Sequence, residues 1–217
     1  MAVAASCQHC YNLVMTIIGL TGPIAAGKDA VTKLFRRRGA VVIDADSLAH
    51  QLYSPQTPVW HELVKAFGSK VLLRGGKINR KKLAELVFAD KKKLQLLNKL
   101  IHPRLKEKII EIIADCQSLV VSRPPEADAP LAHKLIVINA AVLKEIGLLP
   151  IVDRVVVVLA PKETRLKRLL KAGLSRGEAS RRIKSQLSQA EYLKMADVVI
   201  RNDGTKRELN VKVQNSL

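Results

Sequence analysis

The chain has 217 residues, 48% of them hydrophobic, and a formal net charge of +18 from 37 Lys and Arg against 19 Asp and Glu. That length and composition suit one well-packed domain with room for a small insertion, and they exclude a disordered or fibrous chain. The charge is unevenly placed: residues 65–112 hold 14 basic and 4 acidic side chains, and residues 161–194 hold 10 and 3.

Basic stretches of this kind serve either nucleic acid or a small polyphosphate substrate. One Trp, three Tyr and three Phe offer little surface for stacking bases, which argues against nucleic acid as the partner.

In chain order, residues 1–14 (MAVAASCQHCYNLV) lack the basic start and long apolar stretch of a secretory signal. They read as an appendage, with Met15 directly before the first strand. Cys7 and Cys10 make a lone C-x-x-C without the second pair that a zinc site needs. Three cysteines in all fit a reducing, cytoplasmic setting. No apolar run reaches the roughly 18 residues of a membrane span. The longest, Leu135 to Leu143, has the length of a buried strand and its exit.

Residues 15–217 read as one domain. The runs TIIGL (from Thr16), AVVID (from Ala40), KLIVIN (from Lys134) and DRVVVVLA (from Asp153) alternate with amphipathic segments, two of which begin at Lys28 and near Ser47. Continuous apolar runs suit parallel strands covered on both faces. The expected fold class is α/β, a P-loop NTPase three-layer sandwich with a parallel sheet. Over about 60–118 the pattern is helical without a convincing strand, with apolar residues at Leu94, Leu97, Ile101, Leu105, Ile109 and Ile112. A helical subdomain is expected to interrupt the sheet there. Residues 122–131 (SRPPEADAPL) read as a Pro-rich loop, and residues 171–177 (KAGLSRG) as a mobile hinge.

The segment GPIAAGK, Gly22 to Lys28, keeps the G-x-x-x-x-G-K spacing after a strand and before a helix. Backbone N–H groups and the helix start wrap phosphates in such a loop, while the lysine reaches the transferred group. The structural alternative is a Gly-rich turn without a ligand. Asp29 stands where these loops place Ser or Thr. It is open to three readings: a disabled site, an acid suited to the first turn of a helix, or a hard oxygen ligand for magnesium. Asp44 and Asp46 close the second strand, at the carboxyl edge where open α/β sheets bind ligands. Two acids there often cap a helix. Beside a P-loop, we prefer one of them as the base for an acceptor hydroxyl.

With these residues in view, the chain from Met15 onward resembles the dephospho-coenzyme A kinase family. GLTGPIAAGK is similar to the family's GLTGGIGSGK, VIDADSLAHQL to its DAD segment, and INRKKLAELVF (from Ile78) to its LNRxxLxxxVF. LNKLIHPRL carries a His-Pro pair at His102 and Pro103, RRIKSQLSQAEYLKMAD follows the family's lid pattern, and VIRNDG (from Val199) its VIxNxG.

The resemblance implies phosphorylation of the ribose 3′-hydroxyl of dephospho-coenzyme A by ATP, with magnesium. It implies catalytic roles for Lys28, Asp46 and Arg182. The ATP site would comprise Gly22, Ala25, Ala26, Gly27, Lys28, Asp29, Ala30, Asn202 and Gly204, with Asp29 at the metal. The acceptor side would comprise Asp46, Asn79, Arg80 and His102, although for His102 a capping or core role stands beside ligand contact. The helical subdomain would hold the acceptor, and a lid over about 171–192 would put Arg182 and Gln186 on one helical face.

Some positions depart from the pattern. The family's DxPLLFE is NAAVLKE here, Asn139 to Glu145, which weakens a role for that strand end in holding magnesium. A basic residue of the family lid is represented by Lys171, with one residue missing beside it, and Lys supplies charge without the planar two-point grip of Arg; Lys106 stands where the family often has Arg. Two other readings are another nucleotide-type small-molecule kinase and a non-catalytic P-loop relative that binds nucleic acid through its basic faces.

Overall fold

The computed structural model describes residues 15–122 and 135–216. The expected appendage with Cys7 and Cys10, and the Pro-rich loop beyond Ser122, lie outside the described residues. Five strands form one parallel sheet: β1 (Thr16–Thr21), β2 (Val41–Asp44), β3 (Leu135–Asn139), β4 (Arg154–Leu159) and β5 (Val198–Arg201). Their order is β2-β3-β1-β4-β5, so β1 lies at the centre.

Period-two alternation sorts the apolar runs between two faces. Ile18, Leu20, Val137, Val156 and Val158 pack with Val31 and Phe35 of α1 (Lys28–Arg37) and with Leu209 and Val213 of α9 (Lys206–Gln214). Ile17, Ile43, Ile136, Ile138, Val155 and Val157 face the other way. There they meet α2 (Ala45–Leu52), α3 (Pro58–Phe67), α4 (Arg80–Phe88) and α5 (Lys91–Ser122). Each such buried side chain contributes roughly 1.5–3 kcal/mol, which is why the strands read as unbroken apolar runs.

Within residues 60–118 the chain is helical outside 68–79 and 89–90, and the first of these breaks holds a 3-10 turn at Ser69–Val71 and one antiparallel bridge between Leu72 and Ile78. The 32 residues of α5 span about 48 Å. Its core stripe runs through Ile101, Leu105, Ile109 and Ile113, a spacing of four that keeps one face inward.

After β4 come α6 (Lys162–Lys171), α7 (Arg176–Lys184) and α8 (Gln189–Lys194). Ser175 with Glu178, and Ser188 with Glu191, form capping boxes that fix where α7 and α8 begin. Because α7 ends at Lys184, Gln186 lies beyond it and shares no helical face with Arg182. That corrects the expectation from their spacing.

Candidate active site

The site is built where β1, β2 and β3 end. Between Thr21 and Lys28 the chain makes a tight turn, with Ala26 N–H donating to the Pro23 carbonyl at 3.1 Å. Gly22 has φ +145, and a Cβ there would fall on the Val158 carbonyl, so β4 supports the turn from below. Gly27 has φ +99 and precedes α1, whose first N–H groups carry no side-chain cap. Those bare N–H groups and the positive helix end favour an anion.

Side chains hold the loop from outside. Asn202 Nδ2 donates to the Ala26 carbonyl at 2.8 Å, and Arg168 Nη1 donates to the carbonyls of Ala25 and Ala26 at 2.9 and 3.0 Å. Gln186 Oε1 accepts from Ile24 N–H at 2.6 Å. With these carbonyls turned outward, a cavity of about 430 Å3 is lined by Gly27, Asp29, Ala30, Asn202, Gly204 and Lys206, among others. Seven of the nine residues expected from sequence to hold ATP, Ala25, Gly27, Lys28, Asp29, Ala30, Asn202 and Gly204, line this surface, whereas Gly22 and the fully buried Ala26 lie behind it.

Lys28 Nζ folds back to donate to the Gly22 carbonyl at 2.9 Å. Burial lowers its pKa, and the carboxylates of Asp46, Asp29 and Asp44 act in the opposite direction. These four groups thus lie within electrostatic reach of one another. Asp44 accepts Ser47 N–H at 2.8 Å as the N-cap of α2, and also accepts Asn139 Nδ2 at 2.9 Å. Asp46, in the first turn of α2, takes part in neither bond. The surrounding protein pushes its pKa above the usual carboxylate range, the Asp44 charge adds to that rise, and Lys28 opposes it.

A second cavity of about 560 Å3 is lined by His50, Tyr53, Lys77, Asn79 and Arg80, among others. Asn79 also caps α4, its side chain accepting from Lys82 N–H at 3.1 Å. His50 and Tyr53 were not singled out from sequence, although they follow Asp46 by four and seven positions, a spacing that shares one helical face. Their rings meet edge to face at 5.7 Å. Burial and the neighbouring Arg80 guanidinium lower the His50 pKa, and the carboxylates of Asp46 and Asp44 act against them. His102 is placed differently: its Nδ1 lies 3.1 Å from the Glu145 carbonyl, pinning α5 to the segment after β3. Arg182 lines a third cleft, about 400 Å3, between α4 and α7, together with Lys81, Phe88, Glu178 and Arg181.

A phosphate cradle, a lysine folded over it, and an acid at the next strand end make a kinase centre. The family model described as dephospho-CoA kinase matches residues 16–208. The chain belongs to the dephospho-CoA kinase family. The dephospho-CoA kinase of Carboxydothermus hydrogenoformans is 37% identical over 194 residues, covering 89% of this chain and 88% of that protein. That of Aquifex aeolicus is 38% identical over 200 residues, covering 92% and 95%.

Among solved structures, a Thermus thermophilus protein superposes with a TM-score of 0.74 at 29% identity, covering 94% of this chain and 96% of its own. Dephospho-CoA kinase from Campylobacter jejuni gives 0.63 at 27% identity, covering 92% and 94%. A shikimate kinase from Bacteroides thetaiotaomicron gives 0.52 at 12% identity, a likeness of fold alone.

Family membership makes the chain a phosphotransferase, and the kinase reading stands above the non-catalytic one. In this kinase Asn139 is a donor to Asp44, while its buried Oδ1 has no hydrogen-bond partner among the described residues. An aspartate in its place would set two carboxylates against each other. No helix among the described residues is long and apolar enough to cross a membrane.

Proposed function

We propose that the kinase transfers the γ-phosphoryl group of ATP to the ribose 3′-hydroxyl of dephospho-CoA in the cytoplasm, with Asp46 as the base. The 3′-oxygen bonds to the γ-phosphorus, the bond from that phosphorus to the β–γ bridging oxygen breaks, and the hydroxyl proton passes to Asp46. ADP and coenzyme A leave. The observation that carries this assignment is the division of labour after β2: Asp44 is committed to two hydrogen bonds, whereas Asp46 is committed to neither and lies within reach of Lys28. Lys28 would neutralise charge on the moving group, and Arg182 would reach it from the lid. Arg80 and Asn79 would receive the acceptor's pyrophosphate, beside His50.

Magnesium bound with ATP would offset the phosphate charge. Among the described residues no three His, Cys, Asp or Glu converge on one point. The residues present fit a metal held by one or two carboxylates, water and the substrate's own phosphates rather than a resident cage. Asp29, exposed in the first turn of α1, is the residue that would hold it, directly or through water.

The test is turnover with ATP, magnesium and a panel of acceptors, followed by Asp46→Asn. Phosphorylation of dephospho-CoA in preference to nucleoside monophosphates is expected, and the Asn variant should lose a factor on the order of 10² or more in kcat with ATP affinity kept. The acid limb of kcat/KM should lie above the ordinary carboxylate range, because only ionised Asp46 accepts the proton.

Stability should move the opposite way. A carboxylate whose pKa is raised by folding favours the folded state below that pKa and disfavours it above. Because Asp46 is also exposed to solvent, which screens this effect, Asp46→Asn should melt no lower than the natural protein at pH 8. Near-normal turnover in this variant would move the base to another residue.

A further inference from the structure

We propose that Arg168 and Gln186 suspend the lid helix α7 from the phosphate loop, so that seating a triphosphate in the loop is transmitted to α7. The proposal rests on the phosphate-site reading above. The two residues flank α7 in the chain: Arg168 lies on α6, and Gln186 lies just past the end of α7. Both reach the same turn. Arg168 Nη1 holds the carbonyls of Ala25 and Ala26 at 2.9 and 3.0 Å, while Gln186 Oε1 holds Ile24 N–H at 2.6 Å. Arg168 Nη2 also donates to the Asn202 carbonyl at 3.1 Å, which joins the end of β5 to the same anchor.

The turn itself is a conformation that needs support, because Ala25 is a non-glycine residue at φ +58. Between the anchors, α7 packs against α6 and buries little of its own. Ala179 is its one buried residue, and Arg181, Arg182 and Lys184 are exposed. Gly173, at φ +88, gives the approach to α7 a turn that other residues resist. A helix with so little buried surface takes its position from its attachments and has low local stability. A phosphate that fixes residues 24–26 fixes both attachments together. It thereby lowers the freedom of α7 through these attachments, in addition to the contact proposed for Arg182. Arg168 and Gln186 are in this sense positioning residues.

Hydrogen exchange of the full chain, with and without magnesium and a non-hydrolysable ATP analogue, tests the coupling. In the natural protein the analogue should slow exchange over residues 24–30 and, together with it, over 176–184. Gln186→Leu removes the acceptor oxygen; the loop should stay protected while the slowing over 176–184 is lost. For that variant kcat should fall on the order of tenfold with nucleotide Kd within about threefold.

Gln186→Glu keeps an oxygen at the same reach and should restore the slowing. Arg168→Lys keeps the charge but loses the fork, and should lose part of it. Equal slowing of α7 in Gln186→Leu and the natural protein would overturn the proposal, as would an α7 that ignores nucleotide in the natural protein. Absence of any slowing over 24–30 would instead remove the phosphate-site reading, and the coupling with it.

Discussion

The proposed donor and acceptor halves of the site are built in opposite ways. Around the phosphate loop the polar groups are already paired: Ala26 is fully buried, and its carbonyl and that of Ala25 are held by Asn202 and Arg168. Along α4, α5 and α7 the cations stand in solvent, and Phe88 is 56% exposed. The ion pairs there, Lys93 with Asp90, Arg104 with Glu107 and Lys108 with Glu111, are exposed and contribute about 0–1 kcal/mol each. A phosphate chain has the same shape in every cycle, so its cradle is made in advance. On the proposed acceptor side, runs such as Arg80 to Lys82 and Lys91 to Lys93 set like charges side by side, and an incoming pyrophosphate would neutralise them.

If the halves are separate in this sense, damage to the cradle should spare acceptor binding. Gly27→Ala is the sharpest such change, because the new Cβ meets Asn202 Nδ2 at a backbone φ of +99 that favours glycine. ATP affinity should fall on the order of 10²-fold, with a lowered melting temperature, while dephospho-CoA still binds. Calorimetric titration with each substrate in turn decides this. Equal loss of both would mean that the acceptor half depends on a formed loop.

The reverse experiment uses Arg182, which lies in the cleft between α4 and α7. Arg182→Ala should lower kcat on the order of tenfold with ATP affinity unchanged if, as proposed, the guanidinium acts when the lid closes. Steady-state kinetics with both substrates varied separates the two constants. An effect confined to the KM of dephospho-CoA would make Arg182 a docking residue.

This contrast also governs what was legible in the sequence. Gly22 to Lys28 is contiguous, so its spacing alone carried its geometry, and the unbroken apolar runs announced β1 to β4. The edge strand β5 was met as a motif and not as a strand, for only Ile200 of its four residues is buried. Arg168 left no trace, because its partners Ala25 and Ala26 are 143 and 142 positions away and spacing says nothing at that range. The Asp44 and Asp46 pair admitted both capping and catalysis, and the structure gives the cap to Asp44. His50 could have been read from its place four residues after Asp46 on α2.

The smallest expected effect lies at the border of the two halves, at Asp29. It is exposed in the first turn of α1, where the helix end favours an anion, and it lines the same cavity as Gly27 and Asn202. A helix acid with no other role would be indifferent to magnesium. An acid beside the phosphates repels ATP until a cation stands between them, so nucleotide affinity should depend more steeply on magnesium in the natural protein than in Asp29→Ser. At saturating magnesium the two should bind ATP within about threefold, and the gap should widen as magnesium is withdrawn. Calorimetric ATP binding across a magnesium titration measures both slopes. Identical slopes would assign Asp29 to the helix alone, and turnover absent in the natural protein but present in Asp29→Ser would show that the carboxylate disables the cradle.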